Sequence, residues 1–118
     1  MNLMTEQNQK EKAILSTENE IAINDFISML WVEKGLSDNT ASAYRTDLSK
    51  FSLFLQSKSA LSSDLVSVQK EDIQAYLTAR FEQKLSQRST SRFLSSSRSF
   101  FKYAIAKKWR EDNPTQGV

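Results

Sequence analysis

Apolar residues fall into four helical stripes between Ile21 and Ala104, with polar connections between them and no strand-like alternation of useful length. In the first stripe Ile23, Ile27, Leu30 and Trp31 lie at i, i+4, i+7 and i+8, with Phe26 beside them. That is the spacing of one helix face. Gly35 suits the left-handed residue after a last turn, and Lys34 lies at the negative end of the helix dipole. Ser37 then reads as an N-cap, with Asp38 at the positive end of a second dipole. Tyr44, Leu48, Phe51 and Leu55 follow at i, i+4, i+7 and i+11, which predicts a long amphipathic helix over about 38–57.

A Ser-rich connection, 57–67, leads to a third helix near 70–83. It opens with Glu71 and Asp72 and is expected to bury Ile73, Tyr76, Leu77 and Phe81. Ser86 is the expected cap of a fourth helix, about 87–107, with a core stripe of Phe93, Ser97, Phe100, Phe101 and Ala104. Asn113-Pro114 stops further helix. Residues 1–20 are polar without a sustained period and read as a flexible N-terminal tail, turning helical near Glu18. The expected domain is 21–112, and 113–118 would begin a linker.

Composition narrows the fold class to all-α. With 118 residues the chain has room for one modest core, and two glycines and one proline are too few for the turns of a sandwich or barrel. There is no cysteine, hence no disulfide framework and no thiolate metal site; a cytoplasmic location fits. No apolar run approaches a membrane span and no signal-peptide core is present.

Charge changes the picture more. Residues 1–35 carry 3 Lys/Arg against 6 Asp/Glu, whereas 36–118 carry 13 against 8, and 84–110 carry 8 basic side chains and no acid. Such a block is either a solvated face or a surface for a polyanion. On a wheel of 100° per residue, Arg88, Ser91, Arg92, Ser95, Arg98 and Lys102 lie on the side of the fourth helix away from Phe93. The second helix likewise turns Ser42, Arg45, Thr46, Ser49 and Lys50 away from its core. Guanidinium forks suit phosphates and guanine edges, and short hydroxyls let a helix approach closely. A helix meant only to be soluble would use Glu–Lys pairs at i,i+4, and the fourth helix has none.

Catalytic constellations are missing. Without histidine or cysteine there is no Ser–His or Cys–His pair and no usual transition-metal cluster, and two glycines cannot build a nucleotide-cradling loop. Tyr44, Tyr76 and Tyr103 fall on or beside apolar stripes and read as packing. No cofactor, metal or small-molecule ligand is expected.

The stretches "FISMLWVEKGLSDNTASAYRTDLSKFSLFL", "VQKEDIQAYL" and "SQRSTSRFLSSSRSFFKYAIAKKWREDNPTQGV" resemble, in order, the N-terminal core-binding domain of bacterial tyrosine recombinases of the XerD/XerC type, more XerD-like than XerC-like. The resemblance covers roughly residues 21–118. It implies a SAM-like four-helix domain of crossed helical hairpins, forming half of a clamp around a DNA recombination site through its second and fourth helices. It places Thr40, Ser42, Ala43 and Arg45 on the DNA side of the second helix, and Arg88, Ser89, Ser91, Arg92 and Ser95 on that of the fourth. The first helix would meet neighbouring recombinase protomers. The family's catalytic residues lie in a second domain that has no counterpart in this chain, so no DNA cleavage is expected from it alone.

The reading is therefore a double-stranded DNA-binding domain of a site-specific recombinase, acting in chromosome dimer resolution or DNA integration. Arg92, one turn on from Arg88, is the candidate for reading a guanine edge. A helical domain binding an acidic protein is the alternative. A helix-turn-helix regulator fits less well, because about twelve residues separate the second and third helices.

Overall fold

Each long helix starts where a short hydroxyl can satisfy an orphan backbone N–H. Ser16, Ser37 and Ser86 accept from the N–H of Asn19, Thr40 and Ser89 at 3.2, 3.2 and 3.1 Å. The computed structural model describes residues 14–58 and 63–118. Its helices are α1 (Thr17–Lys34), α2 (Asp38–Gln56), α3 (Lys70–Glu82) and α4 (Gln87–Ala106), with a 3-10 turn at Leu65–Ser67. Among the described residues there is no strand. The fold is all-α, two helical hairpins in sequence.

α1 ends on Gly35 at φ 60°, where a side chain would be strained. α3 opens with Asp72, whose carboxylate accepts the Gln69 N–H at 2.8 Å, which gives the acidic first turn a capping role. α2 lies between α1 and α4; α1 also touches α4 and the 3-10 turn, and α3 leans on α2. The core stripes on α1, α2 and α4 meet as a run of rings. Phe26 meets Phe100 edge-on at 5.5 Å, Phe51 meets Phe93 at 5.2 Å, and Tyr76 reaches Phe93 at 4.8 Å. Ser96 and Ser97 are fully buried, and each returns its hydroxyl proton to the Phe93 carbonyl. Small side chains there let α4 sit close to its neighbours.

The structure meets the expected start of α1 and end of α4 to within a residue and departs from the sequence pattern in three places. α1 starts at Thr17, beside the Glu18 where the tail is expected to turn helical; Ser16 caps it and Asn19 is buried, its side-chain amide donating to the Ser63 carbonyl and accepting from the Leu65 N–H, each at 2.9 Å. The helical turn thus reaches into the stretch expected as tail, whose residues 1–13 lie outside the described ones. Phe81, expected in the core, is 84% exposed; Arg80 is buried in its place. Trp31, at the end of the α1 stripe, is 54% exposed, while Trp109 packs on Tyr103. α4 closes at Ala106, within a residue of the expected end, with the Trp109 N–H turned back to the Ala104 carbonyl at 2.9 Å. Finally, the segment expected to begin a linker folds back, with Pro114 and Thr115 buried. Thr115 donates from its N–H and its hydroxyl to the Asn113 amide oxygen.

Candidate nucleic-acid interface

The N-terminal half of α4 and the adjoining flank of α2 build an outer strip of short hydroxyls and cations. Arg88, Ser91 and Ser95 on α4 are exposed, as are Ser42 and Thr46 on α2. None of these five side chains bonds to another described residue. Thr40 and Ala43, half-buried, lie nearer the junction of the two helices. α4 contains no acidic residue, and beyond its first turn α2 contains only Asp47.

Asp47 joins the two helices. Its carboxylate is 6% exposed and accepts two hydrogen bonds from Arg92, from Nε at 2.9 Å and from Nη2 at 2.7 Å. The Arg92 side chain remains 47% exposed. Its hydrogen bonds to Asp47 raise the Arg92 pKa further above its already high ordinary value, so it stays charged. Pairing uses one edge of a guanidinium that has five donors in a fixed fork. Arg92 is thus a tethered cation rather than the free one the charge pattern suggested. The signal for its partner was an acid immediately before Leu48, at the rim of a core stripe, where an unpaired carboxylate would be costly.

Other candidates are drawn elsewhere. Arg45 is exposed, but its Nη1 bonds to the side-chain oxygen of Asn24 on α1, so it faces the α1–α2 seam. Ser89 is half-buried and its Oγ accepts from Arg80 Nη2 at 2.6 Å, while Thr90 Oγ1 accepts from Arg80 Nε at 3.0 Å. Arg80, missed in the sequence pattern, thereby ties α3 to the first turn of α4, its guanidinium 5.7 Å from the Tyr76 ring centre. Arg98 is exposed and its Nη2 reaches the Val118 carbonyl at 3.4 Å, and Lys102 lines the same cleft against residues 113–118. Arg110, counted in the basic block, is internal: Nη1 donates to the carbonyls of Val66 and Val68 at 2.8 and 2.7 Å. The predicted set therefore divides into a strip around Arg88 and Arg92, a seam residue in Arg45, and a C-terminal corner with Arg98 and Lys102.

Among the described residues, no group of three or more potential ligands could hold a metal ion, and no helix is long and apolar enough to cross a membrane. What the strip can do chemically is donate hydrogen bonds and offer positive charge to an extended acceptor surface.

Comparison with known proteins gives one consistent picture. Residues 23–108 match the family described as phage integrase, N-terminal SAM-like domain. The chain is 45% identical over 92 residues to tyrosine recombinase XerD of Shewanella oneidensis, covering 78% of this chain and 30% of that protein. With XerD of Pseudomonas putida it shares 42% over 96 residues, 81% of this chain and 31% of the relative. With XerC of Oceanobacillus iheyensis it shares 38% over 95 residues, 80% and 30%. The chain spans about a third of the length of these curated relatives. No solved structure gives a significant match.

Proposed function

We propose, for a chain that belongs to the phage integrase N-terminal SAM-like domain family, that its work is to grip double-stranded DNA at a recombination site through α2 and α4. The observation that carries this reading is the acid-free outer face of α4, continuous with the hydroxyls of α2. Arg88 meets backbone phosphates there, and Ser91, Ser95, Ser42 and Thr46 allow close approach and donate hydrogen bonds. Phosphate contacts fix register and orientation, and a smaller number of side chains reach base edges. Arg98 and Lys102 extend the positive field toward the C-terminal corner. A longer protein carrying this domain would be a tyrosine recombinase, as the relatives that it matches over about a third of their length are named. α1, with Val32 84% exposed beside Trp31, is the face turned to neighbouring recombinase protomers.

Fluorescence anisotropy with a labelled recombination-site duplex, a scrambled duplex and an acidic polypeptide tests this across a salt series. The expected result is tighter binding to the first duplex and an affinity that falls with salt in proportion to the phosphates contacted, by about 0.9 in log–log slope for each. Preference for the polypeptide, with neither duplex bound, would replace the DNA reading by that of an acidic protein partner.

A further inference from the structure

The geometry points to Asp47 as a positioning residue for base recognition: it grips one edge of Arg92 so that the opposite edge is held ready for a single base pair in the groove faced by α2 and α4. This rests on the DNA reading above.

Asp47 is out of place on a surface meant only for phosphates. A carboxylate on that strip would repel a polyanion, yet it is the acid α2 keeps beyond its first turn. A pair that only linked two helices would have no use for arginine donors left over beyond those that meet the carboxylate. Here the carboxylate is 6% exposed and the arginine 47%, so the arginine continues past its partner into solvent. The contact is side-on, through Nε and Nη2. A side-on grip leaves the end of the fork, with the two protons of Nη1 and the outer proton of Nη2, projecting away from the carboxylate. Those donors match the O6 and N7 acceptors of guanine in the major groove.

Two consequences separate this role from a phosphate contact. First, the ion pair is neutral as a unit, so Arg92 adds little to long-range attraction, which falls to Arg88 and the lysines. Second, a free arginine samples many rotamers and meets any nearby acceptor. One fixed at both Nε and Nη2 offers its donors in one plane and rejects a base whose acceptors lie elsewhere. Asp47 touches no DNA in this scheme and acts through Arg92.

Selection from a pool of duplexes with a randomised central stretch, using the whole chain at fixed salt, reads preference position by position. The parent, Asp47→Asn, Arg92→Lys and Arg88→Ala are compared. Asp47→Asn keeps the shape but places an NH2 against the arginine donors; Arg92→Lys keeps the charge but has no second edge. Both are expected to enrich the parent's motif with one shared position relaxed by about tenfold and the others intact. Arg88→Ala should instead weaken binding evenly at every position. Unchanged preference at every position in both Asp47→Asn and Arg92→Lys would reduce the pair to an interhelical staple. If Asp47→Asn fails to fold, Arg92→Lys, altered only at a half-exposed side chain, decides alone. A parent that binds the pool without preference leaves the DNA reading standing and overturns this inference; a parent that binds no duplex overturns both.

Discussion

The end of the molecule where α1, the 3-10 turn and residues 109–118 meet handles its polar groups differently from the face where α2 meets α4. At the first, the donors of Arg110 and Asn19 are turned inward. Arg110 serves the carbonyls of Val66, Val68 and Asp112 and lies 5.2 Å over the Phe101 ring, and Asn19 fastens α1 to Ser63 and Leu65. At the second, Arg92 is tied at one edge and half exposed, and Arg88, Ser91 and Ser95 point away from the body. The same residue type is packed structure in one place and exposed surface in the other. What decides is whether backbone acceptors lie within its reach, which charge counting along a chain does not reveal.

The sharpest way to break that contrast is Arg110→Ala. The part-buried carbonyls of Val66 and Val68 lose their donor and Phe101 loses its cover. At roughly 1–3 kcal/mol for a buried acceptor left unsatisfied, the loss should be about 3 kcal/mol or more. For a small domain with a total stability of ~5–10 kcal/mol, the thermal midpoint should fall by well over ten degrees. The salt dependence of DNA binding, measured where the variant is still folded, should match the parent. A midpoint within two degrees of the parent would mean that Arg110 is a surface cation after all.

Arg88→Ala is the converse and has a smaller effect. Arg88 is exposed and bonds to no other described side chain, so stability should move by no more than about 0.5 kcal/mol. Binding should weaken, with the slope of log K against log salt flattened by about 0.9, one phosphate contact. A melt that drops steeply while the slope stays fixed would exchange the roles assigned to the two regions.

Much of the fold was legible because its signals are local. Ser37, Gly35 and Ser86 announce helix ends through backbone chemistry a few residues away, and Phe93, Phe100 and Phe101 reach the core at their period. Phe81 was misread because α3 packs by a narrow stripe, Ile73, Tyr76 and Arg80, at i, i+3 and i+7; the stem of Arg80 occupies the space the period offered to a phenyl ring. The candidate site was legible as a face but not as a set of partners. Asp47 and Arg92 are 45 positions apart, Arg110 and Val66 are 44, and Arg45 finds Asn24 across a helix seam. Only tertiary packing sorts those cations into tethered, internal and free.

The smallest effect lies beneath the α2–α4 face and is silent at neutral pH. Tyr76 packs its ring on Phe51, Phe54 and Phe93, with Arg80 over it. Burial raises its phenol above the ordinary value of 10.0, against the opposing pull of the nearby Arg80 guanidinium. A raised folded pKa means that the unfolded chain loses its proton first as pH rises. The folded state is therefore fully favoured below about pH 10 and loses that advantage as pH climbs through the folded value. Tyr103 moves in the same direction, chiefly through burial and then through Asp25 and Glu33 on α1, but it is far more open to solvent. Chemical denaturation at intervals from pH 8 to pH 11 should show the parent weakening above pH 10. Tyr76→Phe keeps the ring and removes the titrating proton, so it should flatten most of that decline, and Tyr103→Phe should flatten less. Equal flattening by the two variants would mean that the phenol under the α2–α4 face is as open to water as the one at the far end, and that the packing contrast between the regions stops short of this layer.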